Sequence, residues 1–318
     1  KMRLIHKGKT HQLYNDPTSG KNEDKTPVIY SSHTGKDRCT TIVQPPLNSN
    51  QFATLATALH KNLTWEKLDT RPRKLSLNQA LKITLLYLRH NLTEELVADL
   101  FEVSQPTISR TIHHIENALL KLKELKAPAL ESLQNIPAPL VIDGTLIPVW
   151  NWSSQGRTLF SGKHQRAGFN HQVICTLNGK LLAITDPSFA SSADSKMISI
   201  FLARSGNHLS SGARHDVYAY RFHQVERFLD ESTLADKGYI GLGLLTSTQR
   251  KPGVRMRAAV KENNRRINRL RSVVERVIVQ VKTWRVLHSG FRRPLRSYGR
   301  VFSVVWSLIF FVAGTPYE

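Results

Sequence analysis

Three carboxylates in this 318-residue chain sit where carboxylates are uncommon. Asp143 follows Leu140-Val141-Ile142 and precedes Gly144, in a stretch that reads as an internal strand. Burying an unpaired charge there would cost several kcal/mol, so Asp143 needs a partner. The adjoining glycine lets the backbone crowd close to a ligand. Asp236 ends a second short apolar run and leads into Lys237-Gly238-Tyr239. Glu275 lies in Val273-Val274-Glu275-Arg276-Val277, flanked by apolar residues inside a basic helix. Carboxylates drawn from three different elements suit a hard divalent cation such as Mg2+, whose ligands are oxygen. Two such ions about 4 Å apart can activate water or a 3′-hydroxyl and stabilise the leaving oxygen in phosphodiester displacement. The same residues could instead be salt-bridged, Asp143 to a strand neighbour and Glu275 to Arg271 or Arg276. Asp186 has a similar choice between ligand and strand-end cap, and Asp194 is ambiguous as well. His164, His171 and His215 lack the spacing of a zinc set. Two-metal chemistry needs no histidine base, so His215 reads as structural or phosphate-contacting.

The elements that must position these groups change character along the chain. Residues 1–74 are polar and weakly patterned, with one short helix expected around 52–59 and no function assigned. Residues 75–127 look wholly helical. Ser76 caps a helix through Leu81, Leu85 and Leu88, and Thr93 caps a second, Glu94–Phe101. Glu102-Val103 makes a tight turn. Ser104 then caps a third helix, in which Pro106 is tolerated because first-turn amides lack intrahelical partners. That helix is expected to continue to about Leu125. Val97, Ala98, Val103 and Ile108 are the expected buried set. Two short helices joined by a three-residue turn form a helix-turn-helix, whose second helix can enter a major groove. Gln105, Thr107, Ser109, Arg110 and His113 are expected on or near its exposed side. The same apolar spacing would also serve a plain helical adaptor.

Pro128 and Pro137-Ala138-Pro139 mark a linker over 128–139, after which the periodicity changes. Leu140–Val149, Asn170–Leu177 and Lys180–Thr185 read as three antiparallel strands, with Asn178-Gly179 as a type I′ hairpin signal. A helix over Val217–Phe228, a short strand at Leu234–Asp236 and a long amphipathic helix over Asn264–Trp284 follow. Val301–Ala313 is apolar but too short to span a bilayer, and a buried helix is the better reading.

Charge narrows the partner. The formal net charge is +21, and residues 250–300 hold sixteen Lys/Arg against two acidic residues. A solvated face normally mixes the signs, whereas a one-signed segment serves a polyanion, most often nucleic acid. Cys39 and Cys175 are the only cysteines, which excludes a zinc finger and gives no sign of a disulfide scaffold. No secretory signal is visible, and a cytosolic, nucleoid-associated protein of a bacterial host is expected.

In this order, several motifs resemble the DDE transposases of bacterial insertion sequences, in the branch related to eukaryotic Harbinger elements. They are Ser-Gln-Pro-Thr-Ile-Ser-Arg (104–110), Ile-Asp-Gly-Thr (142–145), Ser-Gly-Lys-His (161–164), Asn-His-Gln (170–172), Gly-Ala-Arg-His-Asp (212–216), Ala-Asp-Lys-Gly-Tyr (235–239) and Val-Glu-Arg-Val (274–277). The resemblance covers about residues 75–312. It implies an α/β fold, an RNase H-like mixed sheet with flanking helices, preceded by a small all-α helix-turn-helix domain. Residues 75–127 would be the DNA-binding domain and 140–318 the catalytic domain, with an unusual insertion near 188–211. Asp143, Asp236 and Glu275 would be the catalytic triad and, with Asp216, the metal ligands for Mg2+, for which Mn2+ could substitute. Gln105, Thr107, Ser109, Arg110, Lys163, Arg271, Arg276 and Lys282 would contact DNA. Arg271, Glu275 and Lys282 match the family's Arg-Glu-Lys spacing, while the family's preceding tyrosine is Asn268 here. The implied activity is metal-dependent cleavage of an element's terminal inverted repeats and strand transfer into target DNA, with at least a dimer on DNA. A DNA-binding remnant without catalysis, and an endonuclease that cuts without joining, are the alternatives.

Overall fold

The computed structural model describes residues 46–66, 72–150, 160–161, 164–185, 220–221 and 223–314. Four helices come first: α1 (Ser49–Asn62), α2 (Leu77–His90), α3 (Glu94–Leu100) and α4 (Gln105–Leu119). Ser76 begins α2 with a reciprocal capping box to Gln79, and Thr93 accepts from the Leu96 amide to begin α3. Between α3 and α4 the chain reverses at Glu102, which adopts φ 53° while Val103 N–H donates to Ala98 O at 3.0 Å. Val97, Ala98 and Ile108 are buried there as their spacing requires, with Val103 packed against them. Ser104 occupies the cap position of α4 but its hydroxyl pairs with Thr107 Oγ1 at 2.9 Å, not with a backbone amide. Pro106 has removed one of the two amides such a cap uses. The helix stops at Leu119, and a separate 3₁₀ turn, Lys123–Leu125, completes the stretch expected as continuous helix.

The strands are β1 (Leu140–Pro148), β2 (Phe160–Ser161), β3 (Arg166–Thr176), β4 (Leu181–Ile184), β5 (Leu234–Ala235) and β6 (Leu245–Thr246). They form one mixed sheet in the order β2-β3-β1-β5-β6, with β4 also on β3. β1 runs antiparallel to β3, from Leu140 opposite Thr176 to Pro148 opposite Gly168, and parallel to β5 at Val141 and Leu234. This antiparallel-then-parallel order is the RNase H-like arrangement, and helices α5 (Ala258–Lys282) and α6 (Tyr298–Ala313) flank the sheet. Two local expectations fail. In the β3–β4 turn only Gly179 has positive φ, 87°, so the two-residue type I′ geometry, which needs it at Asn178 as well, does not form. Asn178 instead accepts from the Thr176 hydroxyl, and the turn closes through Gly179 N–H to Thr176 O. The helix expected through Phe228 is broken at Gln224, φ 52°, with a 3₁₀ turn at Val225–Arg227. That break lets Val225 reach the core under Ile142 and Ile174. Residues 217–219 and 222 of that stretch lie outside the described residues.

One hydrophobic cluster runs from Leu55 and Leu81 through Ile108 and Ile112 to Val274, Val301, Phe302 and Leu308. The helix-turn-helix is therefore packed on α6. Leu295–Ala313 is apolar and long enough to cross a membrane by composition, but more than half of it is buried inside the protein. Two polar devices hold α6 in place. Glu116 of α4, with no exposed side-chain surface, takes hydrogen bonds from Arg293 and, at 3.2 Å, from Arg300. On the sheet side, buried His171 lies 2.8 Å from Thr185 O through Nδ1 and 2.7 Å from the Tyr298 hydroxyl through Nε2. A carbonyl can only accept, so Nδ1 carries the proton and Nε2 accepts from Tyr298. Burial holds the His171 pKa down to about 3, against the opposing pull of the Thr185 bond, and burial also lowers His223 to about 4.

Removing one partner of a buried ion pair strands the other charge, at a cost of roughly 3–5 kcal/mol. Glu116→Ala should therefore lower unfolding free energy by about that much, measured by chemical denaturation, whereas Glu262→Ala in the exposed α5 pair should change it by less than about 1 kcal/mol. The histidines set a pH dependence of known sign. The unfolded chain takes up their protons near pH 6.5 and the folded chain does not until about pH 3 to 4. Stability should fall as pH drops through that window, by up to about 1.4 kcal/mol per unit for each group. Denaturation at pH 7, 6 and 5 checks this, and a His171→Gln variant should show the shallower slope.

Candidate active site

The sheet register brings the first two carboxylates side by side. Val141 of β1 is paired with Leu234 of β5, and each strand carries its aspartate two residues further on, Asp143 and Asp236. A step of two residues returns a side chain to the same face, so both project from one side of a parallel pair. Asp143 is largely buried, and its Oδ1 accepts from the Gly144 amide at 2.8 Å. Asp236 begins the 3₁₀ turn Lys237–Tyr239 at the end of β5 and is about one-third exposed.

Helix α5 packs across β1, β3 and β5 and supplies the third. Val273, Val274, Val277 and Val281 are its buried edge. Arg271, Glu275 and Lys282, four and seven residues apart, fall along one stripe of the helix. Arg271 reaches all three carboxylates: Nη1 is 2.8 Å from Asp143 Oδ2, and Nη2 is 3.9 Å from Asp236 Oδ1 and 3.7 Å from Glu275 Oε1. Its Nε is buried with no hydrogen-bond partner among the described residues. Three negative charges thus share one positive one, inside a segment that is otherwise strongly basic.

The donor chemistry fits a hard divalent cation: three carboxylates from three elements facing one cationic centre. Among the described residues no three acidic, histidine or cysteine groups close directly on a common ion position; the Arg271 guanidinium contacts each of the three carboxylates instead. The salt bridge from Glu275 to Arg271 offered by the sequence is present at 3.7 Å, while Asp143, for which a strand neighbour is the expected partner, pairs with the same helix arginine. Asp216, Lys163, Asp186, Asp194 and His215 lie outside the described residues.

The basic and polar candidates separate. Lys282 ends α5 half-buried, and desolvation lowers its pKa. Arg276 is exposed. On α4, Gln105, Ser109 and His113 share a face that lines a cleft against Arg292, Arg296 and Arg300. Gln105 is held there by Glu94 Oε2. Thr107 is tied to Ser104, and Arg110 is exposed on another side of the helix. The five do not form a single face.

Sequence reasoning missed the support beneath the aspartates. Gln172, fully buried on β3 opposite Gly144, accepts from the Tyr239 hydroxyl and has its backbone amide bound to Thr185 Oγ1 at 2.8 Å. This bond ties the turn that carries Asp236 to the strand beside Asp143. The Asn-His-Gln and Asp-Lys-Gly-Tyr motifs held the signal, but nothing local says that they meet.

Comparison with known proteins fits this arrangement. Residues 142–309 match the family described as DDE superfamily endonuclease, and residues 73–122 match the helix-turn-helix of DDE superfamily endonuclease. A protein of Streptomyces albus G assigned as a transposase for insertion sequence element IS112 is 27% identical over 243 residues, 76% of this chain and 82% of that one. One of Microchaete diplosiphon, assigned to insertion sequence element IS702, is 24% identical over 254 residues, 74% of this chain and 79% of its own. No solved structure gives a significant match. The chain belongs to the DDE superfamily of transposase endonucleases, with the family's helix-turn-helix ahead of its endonuclease region.

Proposed function

We propose that this protein binds the terminal inverted repeats of a mobile element and catalyses their metal-dependent cleavage and strand transfer into target DNA. The observation that carries the reading is the convergence of Asp143, Asp236 and Glu275 on a single cationic centre in a chain of this family. These three would hold Mg2+, or Mn2+ in its place, with Asp216 as a fourth carboxylate. Bound there, the metal supplies activation of water or a 3′-hydroxyl and stabilisation of the leaving oxygen.

The chain's own residues do the rest by position. The Gln172–Tyr239 bond fixes the Asp236 turn against β3, and the Gly144 amide orients Asp143. Arg271 balances the carboxylates and, with Lys163, Arg276 and Lys282, meets DNA phosphates. Residues 75–127 form the DNA-reading unit, in which Gln105, Thr107, Ser109 and Arg110 reach DNA; residues 128–139 link it to the endonuclease region, 140–318. Synapsis of two ends calls for at least a dimer, acting at the nucleoid of a bacterial host. Binding without catalysis is the competing reading, and the observation in its favour is the Arg271 guanidinium lodged among the carboxylates.

Strand transfer in vitro separates them: purified protein, Mg2+ and labelled duplex bearing the repeats that flank its gene. Joined product is expected from the wild type, with Asp236→Asn reduced on the order of a hundredfold or more, since even groups behind a metal ligand contribute up to that much. Cleavage without joining would mean a nuclease, and binding alone a remnant. A second test concerns Arg271. Its replacement by Gln should leave three facing carboxylates without their cation, lowering the melting temperature in EDTA. Mg2+ should then raise the melting temperature of Arg271→Gln more than that of the wild type; equal shifts would argue against a shared cation position.

A further inference from the structure

The segment from Arg292 to Arg300 lies against α4, and together with the start of α3 they enclose an open cleft of about 740 Å³. One wall is the α4 face bearing Gln105, Ser109 and His113. The other bears four arginines within nine residues, with no acidic residue among them in the sequence. They divide into two kinds. Arg293 and Arg300 are held inward by Glu116, one carboxylate for two guanidiniums, so the floor keeps a net positive charge. Arg292 and Arg296 are exposed and form no ion pair among the described residues. Arg292 is nevertheless anchored, donating to Asn91 O, which leaves the rest of its fork for an outside acceptor. The acidic residues of the cleft, Glu94 and Glu95, stand together at the start of α3. They disfavour a polyanion's phosphates at that rim, so the arginine wall is the basic side of the cleft. The His113 pKa is lowered, by burial first and then by Arg300, which agrees with a positive potential in the cleft.

We propose that Arg292 and Arg296 grip the phosphate backbone of the duplex that α4 reads, so that the DNA is held between the helix-turn-helix and the endonuclease region. This rests on the DNA-binding reading above and deepens it. Base edges meet the α4 side and carry sequence information; the arginine side carries register and salt-sensitive affinity. Arginine suits that wall because its planar fork matches phosphate geometry.

The test uses the full chain and fluorescence anisotropy with two labelled duplexes, one bearing the flanking repeats and one of scrambled sequence, over about 50 to 200 mM KCl. Each neutralised phosphate contributes about 0.9 to the slope of log affinity against log salt. Arg292→Ala/Arg296→Ala should flatten that slope by roughly 1.8, so its deficit against the wild type narrows about twelvefold across the range. The loss should be the same on both duplexes, and Arg292→Lys/Arg296→Lys should restore most of the slope. Arg293 and Arg300 stay in place to keep Glu116 paired, and Arg296→Glu alone serves if the double variant melts early; it should weaken both duplexes more than Arg296→Ala does. An unchanged slope in a folded variant, or a loss confined to the repeat duplex, overturns the proposal while leaving the DNA reading intact. A wild-type chain that binds neither duplex overturns both.

Discussion

Glu116 is the constraint from which the arrangement of the described helices follows. A carboxylate with no exposed surface in the last turn of α4 cannot stand alone, and among the described residues its salt bridges are to arginines outside that helix. Its partners come from some 180 residues away, Arg293 ahead of α6 and Arg300 within it. Satisfying Glu116 therefore docks the C-terminal segment on the helix-turn-helix. Two residues before Arg300, Tyr298 donates to His171 on β3. The same turn of α6 thus fastens the helical region on one side and the sheet on the other. β3 is in turn paired along its length with β1, the strand of Asp143. A line of specific contacts, buried or part-buried, runs from the helix that would read DNA to the strand of Asp143.

The two carboxylate–arginine clusters are opposites, and the contrast bears on function. Around Glu116 there are two guanidiniums for one carboxylate, all largely shielded from water, which is the economy of a structural joint. Around Arg271 there are three carboxylates for one guanidinium, with exposure rising from Asp143 at 16% to Glu275 at 63%. In these contacts the carboxylates outnumber the guanidinium, and the cluster is open on the Glu275 side. In a chain carrying +21, three carboxylates gathered around one position are a place that suits a further cation.

What the sequence disclosed was whatever depends on neighbours a few residues apart. The helix-turn-helix was legible because Ser76, Thr93 and Pro106 punctuate apolar spacing that only a helix satisfies. Asp143 and Asp236 were legible because a carboxylate inside an apolar run needs a reason. Even the stripe of Arg271, Glu275 and Lys282 is a matter of helical period. The misses share a different cause. Ser104 sits at a cap, yet its hydroxyl pairs with the Thr107 hydroxyl, and Pro106 removes one of the two amides it could have taken. Asn178-Gly179 suggests a two-residue turn, yet the Thr176 hydroxyl occupies Asn178 and the loop closes one residue wider. Gln172 with Tyr239, His171 with Tyr298 and Glu116 with its arginines are pairs separated by 67, 127 and up to 184 residues. No local pattern reports a partner at that distance.

The surplus charge of residues 250–300 also resolves only in three dimensions. Arg265 and Arg266 face Glu262 at a surface where such pairs contribute little, so their charge remains available to solvent and polyanion alike. Arg271, Arg293 and Arg300 are spent inward, balancing carboxylates that would otherwise be stranded. Arg276, Arg292 and Arg296 are left outward. A count of basic residues predicts affinity for DNA but not where the DNA lies. Subtracting the arginines that the fold needs for itself leaves those that face outward, and Arg292 and Arg296 among them line the same cleft as the exposed face of α4.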